Sequence, residues 1–127
     1  MDGVKLNRSE WNVLNCLWEE SPRTVMQIVG ELERTAGWAR STTITTLRRM
    51  EAKGLVGCQQ VGRGRAYVPL VEREEAAVTE TRRFLDRVYQ GSVGMMVSAM
   101  ARREELTKEQ ITQLREILDE AEKRSGK

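Results

Sequence analysis

The chain contains no histidine. The commonest general base and the commonest metal ligand are therefore missing. Its two cysteines, Cys16 and Cys58, are far apart and form no C-x-x-C pair. They read as reduced, partly buried thiols of a cytosolic protein, with a two-cysteine redox switch as the alternative. No run approaches the ~20 apolar residues needed to span a bilayer. The opening M-D-G-V-K-L-N lacks the basic and apolar regions of a signal peptide. Cytoplasmic residence without membrane insertion is the expectation. A glycine-rich phosphate loop is also missing, so no enzyme, no cofactor and no metal are expected.

What remains is a chain of 127 residues, 39% apolar and 31% charged, long enough for one domain or two very small ones. Such a composition suits a helix-rich globular protein. Net charge is only +2, but its distribution is uneven. Residues 35–69 hold Arg40, Arg48, Arg49, Lys53, Arg63 and Arg65 against Glu51 alone, a local balance of +5. Residues 71–127 carry eleven basic and twelve acidic side chains, a balance of −1. Positive charge concentrated in mid-chain is the pattern of a localised anion-binding surface.

The basic region contains Trp38 to Gly54, W-A-R-S-T-T-I-T-T-L-R-R-M-E-A-K-G. A helix of about four turns starting at Ala39 places Thr43, Leu47 and Met50 at i, i+4 and i+7 on one stripe. Ser41, Thr45, Arg48, Arg49 and Ala52 fall on the opposite face, with Thr42 at its edge. Ile44 lies at the margin, where it either meets a thymine methyl or tucks against the domain. Short hydroxyls allow close approach to base edges, and arginine supplies phosphate charge or a bidentate guanine contact. An ordinary solvated helix face would carry acids as well. Gly54 should stop the helix.

Ahead of this stretch, Asn7 and Glu10 form a capping-box pattern. Trp11, Leu14 and Trp18 then recur at helical spacing, flanked by Val13 and Leu17, up to a break at Ser21-Pro22. At that spacing both tryptophans read as core. Thr24 and Gln27 repeat the capping logic, and Val25, Ile28, Val29 and Leu32 form a second buried face. Arg34 to Gly37 reads as a connector. Beyond Gly54, residues 55–61 and 66–70 read as two strands around Gly62-Arg63-Gly64-Arg65, with the arginines at or beside a hairpin tip. Three helices and a basic hairpin make the winged helix-turn-helix layout, in which the third helix enters the major groove and the wing follows the backbone or minor groove.

After Leu70 the pattern is helical to the end, and residues 72–127 are expected to form a second, three-helix domain after a DNA-binding domain of residues 1–71. Its stripes are Val78, Phe84, Leu85, Val88 and Tyr89, then Val93, Met96, Val97 and Met100, then Ile111, Leu114, Ile117 and Leu118. About 55 residues of separated helices bury only a modest core alone. These stripes are therefore expected to meet a second copy, which also suits a two-fold protein on a palindromic duplex.

The chain resembles the penicillinase-repressor family (BlaI, MecI and the CopY regulators) over nearly its whole length. N-R-S-E-W-N-V-L-N-C-L-W, E-L-E-R-T-A-G-W, S-T-T-I-T-T-L-R-R-M-E-A-K-G-L-V, G-R-G-R-A-Y-V-P, F-L-D-R-V-Y-Q-G-S-V-G-M-M-V and L-T-K-E-Q-I-T-Q-L-R-E-I-L-D-E carry the likeness in order. The resemblance implies a mainly helical, homodimeric winged-helix repressor that sits on inverted repeats in promoters. It sets Ser41, Thr42 and Thr45 against bases and Arg49 on the DNA backbone, and it assigns Arg63, Arg65 and Tyr67 to the wing. In the antibiotic-resistance branch a membrane sensor metalloprotease triggers cleavage of the repressor. That bond would fall at about Ala99–Met100, which are not the Asn–Phe pair associated with that branch. The copper branch binds metal through a C-terminal cysteine cluster, and the tail D-E-A-E-K-R-S-G-K has no cysteine. The competing class is a winged-helix protein-interaction module without specific DNA binding, for which an acid-poor helix face has no use. The inducing signal and the release route, whether proteolysis, ligand or redox change, stay open at this level.

Overall fold

The computed structural model describes residues 4–103 and 105–126. Its elements are α1 (Arg8–Glu19), β1 (Arg23–Thr24), α2 (Val25–Ala36), α3 (Arg40–Lys53), β2 (Val56–Val61), β3 (Gly64–Pro69), α4 (Arg73–Tyr89), α5 (Val93–Arg102) and α6 (Lys108–Ser125). The chain divides into two compact units, residues 1–81 and 82–127. The sequence sets the change at residues 71–72. Compactness places it inside α4, because Val71 and Ala76 are both buried in the first unit's core.

Each start of α1, α2 and α6 is held by a reciprocal cap. The Glu10 amide donates to Asn7 Oδ1 (2.9 Å) while the Asn7 amide donates to Glu10 Oε1 (3.0 Å). Thr24 with Gln27, and Thr107 with Gln110, repeat this pattern. Together they satisfy amides that a helix start leaves unpaired. α1 buries Val13, Leu14, Cys16 and Leu17. Trp11 and Trp18 are half-buried against that core, edge to face at 5.7 Å. The Trp18 indole N–H donates to the Val71 carbonyl (2.9 Å), so its polar end is also satisfied.

α2 runs through Arg34, Thr35 and Ala36, which sequence reading assigns to a connector. Arg34 pairs with Glu31 (2.6 Å) and the Thr35 hydroxyl donates to the Glu31 carbonyl (2.8 Å), so both are bonded within the helix. Gly37 then ends it at φ 69°. α3 starts at Arg40 rather than Ala39, which is its N-cap and makes no side-chain cap bond. Gly54 closes α3 in the left-handed conformation, φ 80°, which only glycine adopts without strain. Leu14, Leu17, Ile28, Leu32, Leu47, Met50, Val13 and Val56 are fully buried. Burial of each contributes about 1.5–3 kcal/mol before entropy is charged against it.

The sheet has order β1-β3-β2, antiparallel throughout. β1 is the strand that sequence reading misses, and it makes β3 the central strand. β3 begins at Gly64, earlier than expected, so only Gly62 and Arg63 form the turn. Gly62 takes φ 60° and Arg63 stays outside the left-handed region. That is the sign pattern of a type II′ hairpin, whose first central position favours glycine. Arg63 therefore sits at the tip and Arg65 in the strand, opposite Gln60.

In the second unit Leu85 is the one buried large side chain among the described residues, at 7% exposure. Phe84 and Tyr89 meet edge to face at 6.0 Å, with the Arg87 guanidinium 6.0 Å above the Phe84 ring. Gln90 and Gly91, both at positive φ, separate α4 from α5, and Ser92 caps α5 through the Met95 amide.

One buried side-chain group in the first unit is unsatisfied among the described residues. Thr43 is 0% exposed and its Oγ1 has no hydrogen-bond partner among them. Replacing an unpaired buried hydroxyl by a methyl of the same shape removes its desolvation cost. Thr43→Val should raise unfolding stability by about 1 kcal/mol, read from urea denaturation. A loss of stability would show that the hydroxyl is bonded in solution.

Candidate nucleic-acid interface

α3 is held by a narrow stripe. Thr43, Leu47 and Met50 are buried at 0%, 1% and 0% exposure. Opposite them Arg40, Ser41, Thr42, Thr45, Arg48 and Arg49 are all exposed. Ile44 is half-buried at the edge of the stripe. The Thr46 hydroxyl is used internally, donating to the Thr42 carbonyl (2.8 Å). The hydroxyls of Ser41, Thr42 and Thr45 make no side-chain hydrogen bond among the described residues, which leaves them for an outside partner.

The cations of residues 35–69 divide into two sets. Lys53 Nζ lies 2.6 Å from Glu10 Oε2, and Glu10 is 4% exposed. That pair ties the end of α3 to the start of α1, so Lys53 serves the fold. Arg65 Nη2 lies 3.8 Å from Glu51 Oε2. Arg40, Arg48, Arg49 and Arg63 have no ion-pair partner among the described residues. The free positive charge is therefore on the exposed face of α3 and at the wing tip.

Tyr67 departs from its expected place on the DNA-facing surface of the wing. It is 7% exposed and part of the hydrophobic core. The cause is β1: as residue of the central strand, Tyr67 is flanked by Arg23 on one side and Cys58 on the other. Its hydroxyl donates to Glu51 Oε1 at 3.3 Å. Tyr67 thus positions the wing from inside. Glu51, which the sequence shows only as a lone acid, meets both Tyr67 and Arg65. The available signal was its status as the one acid in residues 35–69.

The stripes of the second unit lie at the surface to differing degrees. Leu85 is buried, while Tyr89, Met96, Val97 and Leu114 are half-buried. Phe84, Val88, Val93, Met100, Ile111, Ile117 and Leu118 are exposed, Leu118 at 65%. α5 and α6 enclose an open cavity of about 300 Å³ walled by Met96, Val97, Met100, Leu106, Leu114 and Ile117. Ala99 and Met100 both lie inside α5, where the Arg103 amide donates to the Ala99 carbonyl (3.3 Å). Among the described residues no three His, Cys, Asp or Glu side chains gather at metal-binding spacing. No described helix is long and apolar enough to cross a membrane.

The Penicillinase repressor family model matches residues 6–120. The chain belongs to that family. It is 28% identical over 120 residues to the penicillinase repressor of Bacillus licheniformis, covering 94% of each chain. It is 25% identical over 115 residues to the methicillin resistance regulatory protein MecI of Staphylococcus aureus strain N315, covering 91% of this chain and 94% of that one. Among solved structures, the monomeric form of B. licheniformis BlaI in complex with the blaP half-operator superposes with TM-score 0.52 at 25% identity. The match covers 57% of this chain and 88% of that one. The fold is therefore mainly helical with a winged-helix domain.

Burial, and next the Glu51 carboxylate beside it, push the Tyr67 phenol above its ordinary range. The unfolded phenol then ionises at lower pH than the folded one. Stability from this group is complete below the ordinary tyrosine value and is lost as pH rises through the raised one. Between about pH 8 and about pH 11, the melting temperature of the protein should fall more than that of Tyr67→Phe. Parallel curves would place the phenol in water.

Proposed function

We propose that the protein is a homodimeric, sequence-specific DNA-binding transcriptional repressor that occupies inverted-repeat operators in promoters, in the cytoplasm where that DNA lies. The observation that carries this reading is the exposed face of α3. It offers Ser41, Thr42 and Thr45 with unspent hydroxyls, framed by Arg40, Arg48 and Arg49 without internal counter-charges. Family membership and the likeness to a repressor bound to its half-operator support it. The three hydroxyls are assigned to base edges, and Arg40, Arg48, Arg49 and Arg63 to phosphates. Arg65 joins them once freed from Glu51.

Dimerisation is assigned to the second unit. Its exposed apolar side chains on α4, α5 and α6 exceed what a solvated surface of that size needs. A two-fold pair of reading helices suits an operator with two half-sites. A signal then releases the repressor. Cleavage by a sensor protease near Ala99–Met100 is the route kept from the resemblance, and it requires that turn of α5 to unwind first, since the bond is helical.

Two outcomes follow. In a gel shift with the protein's own upstream region at low salt, Thr45→Ala should weaken the specific complex by about 1–3 kcal/mol and leave random-sequence binding nearly unchanged. Equal loss on both duplexes removes Thr45 from base reading. Replacing Ile117 and Leu118 together by Glu should convert the dimer to a folded monomer in sedimentation, since both are exposed in the protomer. A persistent dimer moves the interface elsewhere.

A further inference from the structure

We propose that Glu51 is an internal counter-anion for the wing. It holds Arg65 and Tyr67 to α3 in the free protein and surrenders Arg65 to a DNA phosphate on binding, which lowers affinity for every duplex by a common factor. The proposal rests on the DNA-binding reading above and adds a residue that opposes binding.

Glu51 is the one acid in residues 35–69, set among six cations. It lies in the last turns of α3, and its two oxygens have different tasks. Oε1 accepts from the buried Tyr67 hydroxyl (3.3 Å), which fixes the carboxylate in place. Oε2 faces the Arg65 guanidinium at 3.8 Å. The side chains of Arg65 and Glu51 are 66% and 40% exposed, so water and phosphate can reach the pair.

An exposed pair of this kind is worth little, at most about fivefold in an equilibrium. A phosphate, like a carboxylate, offers the guanidinium two acceptor oxygens. Exchange of one for the other is therefore nearly balanced, and Arg65 contributes less net affinity than the unpaired Arg63 at the tip. The carboxylate left behind repels the same phosphates. Its cost falls equally on every DNA sequence, because the backbone is the same everywhere. Affinity for operator and for other DNA drops by one common factor.

The test compares wild type, Glu51→Gln, Arg65→Gln and the double variant on an upstream-region duplex and on a random duplex, over a range of salt. Glutamine keeps an acceptor for Tyr67 and removes the charge. Glu51→Gln should tighten binding to both duplexes by about threefold to fivefold. It should also steepen the salt slope by up to about 0.9. In the Arg65→Gln background that gain should shrink to the part that comes from the carboxylate's own repulsion of phosphates. Equal tightening in both backgrounds would reduce Glu51 to a diffuse charge and overturn the exchange. Weaker binding with a lowered melting temperature would make it a purely structural residue, with the same consequence. If Glu51→Gln fails to fold, Arg65→Gln must still cost less affinity than Arg63→Gln, and an equal or larger cost sinks the proposal. Absence of any shift by wild type in low salt would remove the DNA reading itself, and that lane separates the two failures.

Discussion

Three side chains hold α3 to the domain. Thr43, Leu47 and Met50 occupy one narrow stripe of α3, and the rest of that helix faces outward or along its flanks. A stripe so narrow fixes the depth of a helix better than its roll. The roll is set at the C-terminal end, where Lys53 reaches the buried Glu10 and Glu51 reaches Tyr67 and Arg65. One of these ties runs to α1 and the other to the wing. The exposed face can therefore be largely polar without the helix losing its seat.

Charge in this domain has been sorted by task. A carboxylate buried on its own would be costly, yet Glu10 caps α1 with one oxygen and binds Lys53 with the other, so nothing on it is left unmatched. Arg23, nearly buried, lies against Glu19, Glu20 and Glu31 and serves the junction of α1, β1 and α2. Cations facing outward on α3 and the hairpin tip have no such partners. Arg23 and Lys53 are thus matched by carboxylates within the fold, while Arg40, Arg48, Arg49 and Arg63 keep their charge unmatched among the described residues.

Much of this was legible in the sequence because it is local. The capping pairs Asn7–Glu10, Thr24–Gln27 and Thr107–Gln110 are three residues apart, and the α3 stripe repeats every turn. Arg23–Thr24 was not legible, since two residues show no alternation, and without that strand Tyr67 could not be assigned to the core. The Lys53–Glu10 pair spans 43 positions and leaves no periodic trace. The outward residues of α3 could be named because their place follows from helix geometry. Tyr67 could not, because its place follows from a neighbouring strand. In the second unit the apolar stripes were plain in the pattern, but which of them is covered depends on packing, and of that unit's described residues Leu85 alone is buried.

The short strand β1 has a mechanical consequence for the wing. It clamps β3 at Ala66 and Tyr67 only, whereas Gly64 and Arg65 pair with β2 alone. The hairpin is therefore a cantilever with its fulcrum at Ala66. Its free arm, three residues out to Arg63, measures about 10 Å. Bending of the arm leaves the fulcrum undisturbed, so Arg63 can shift at the hairpin tip while Tyr67 and α3 keep their register.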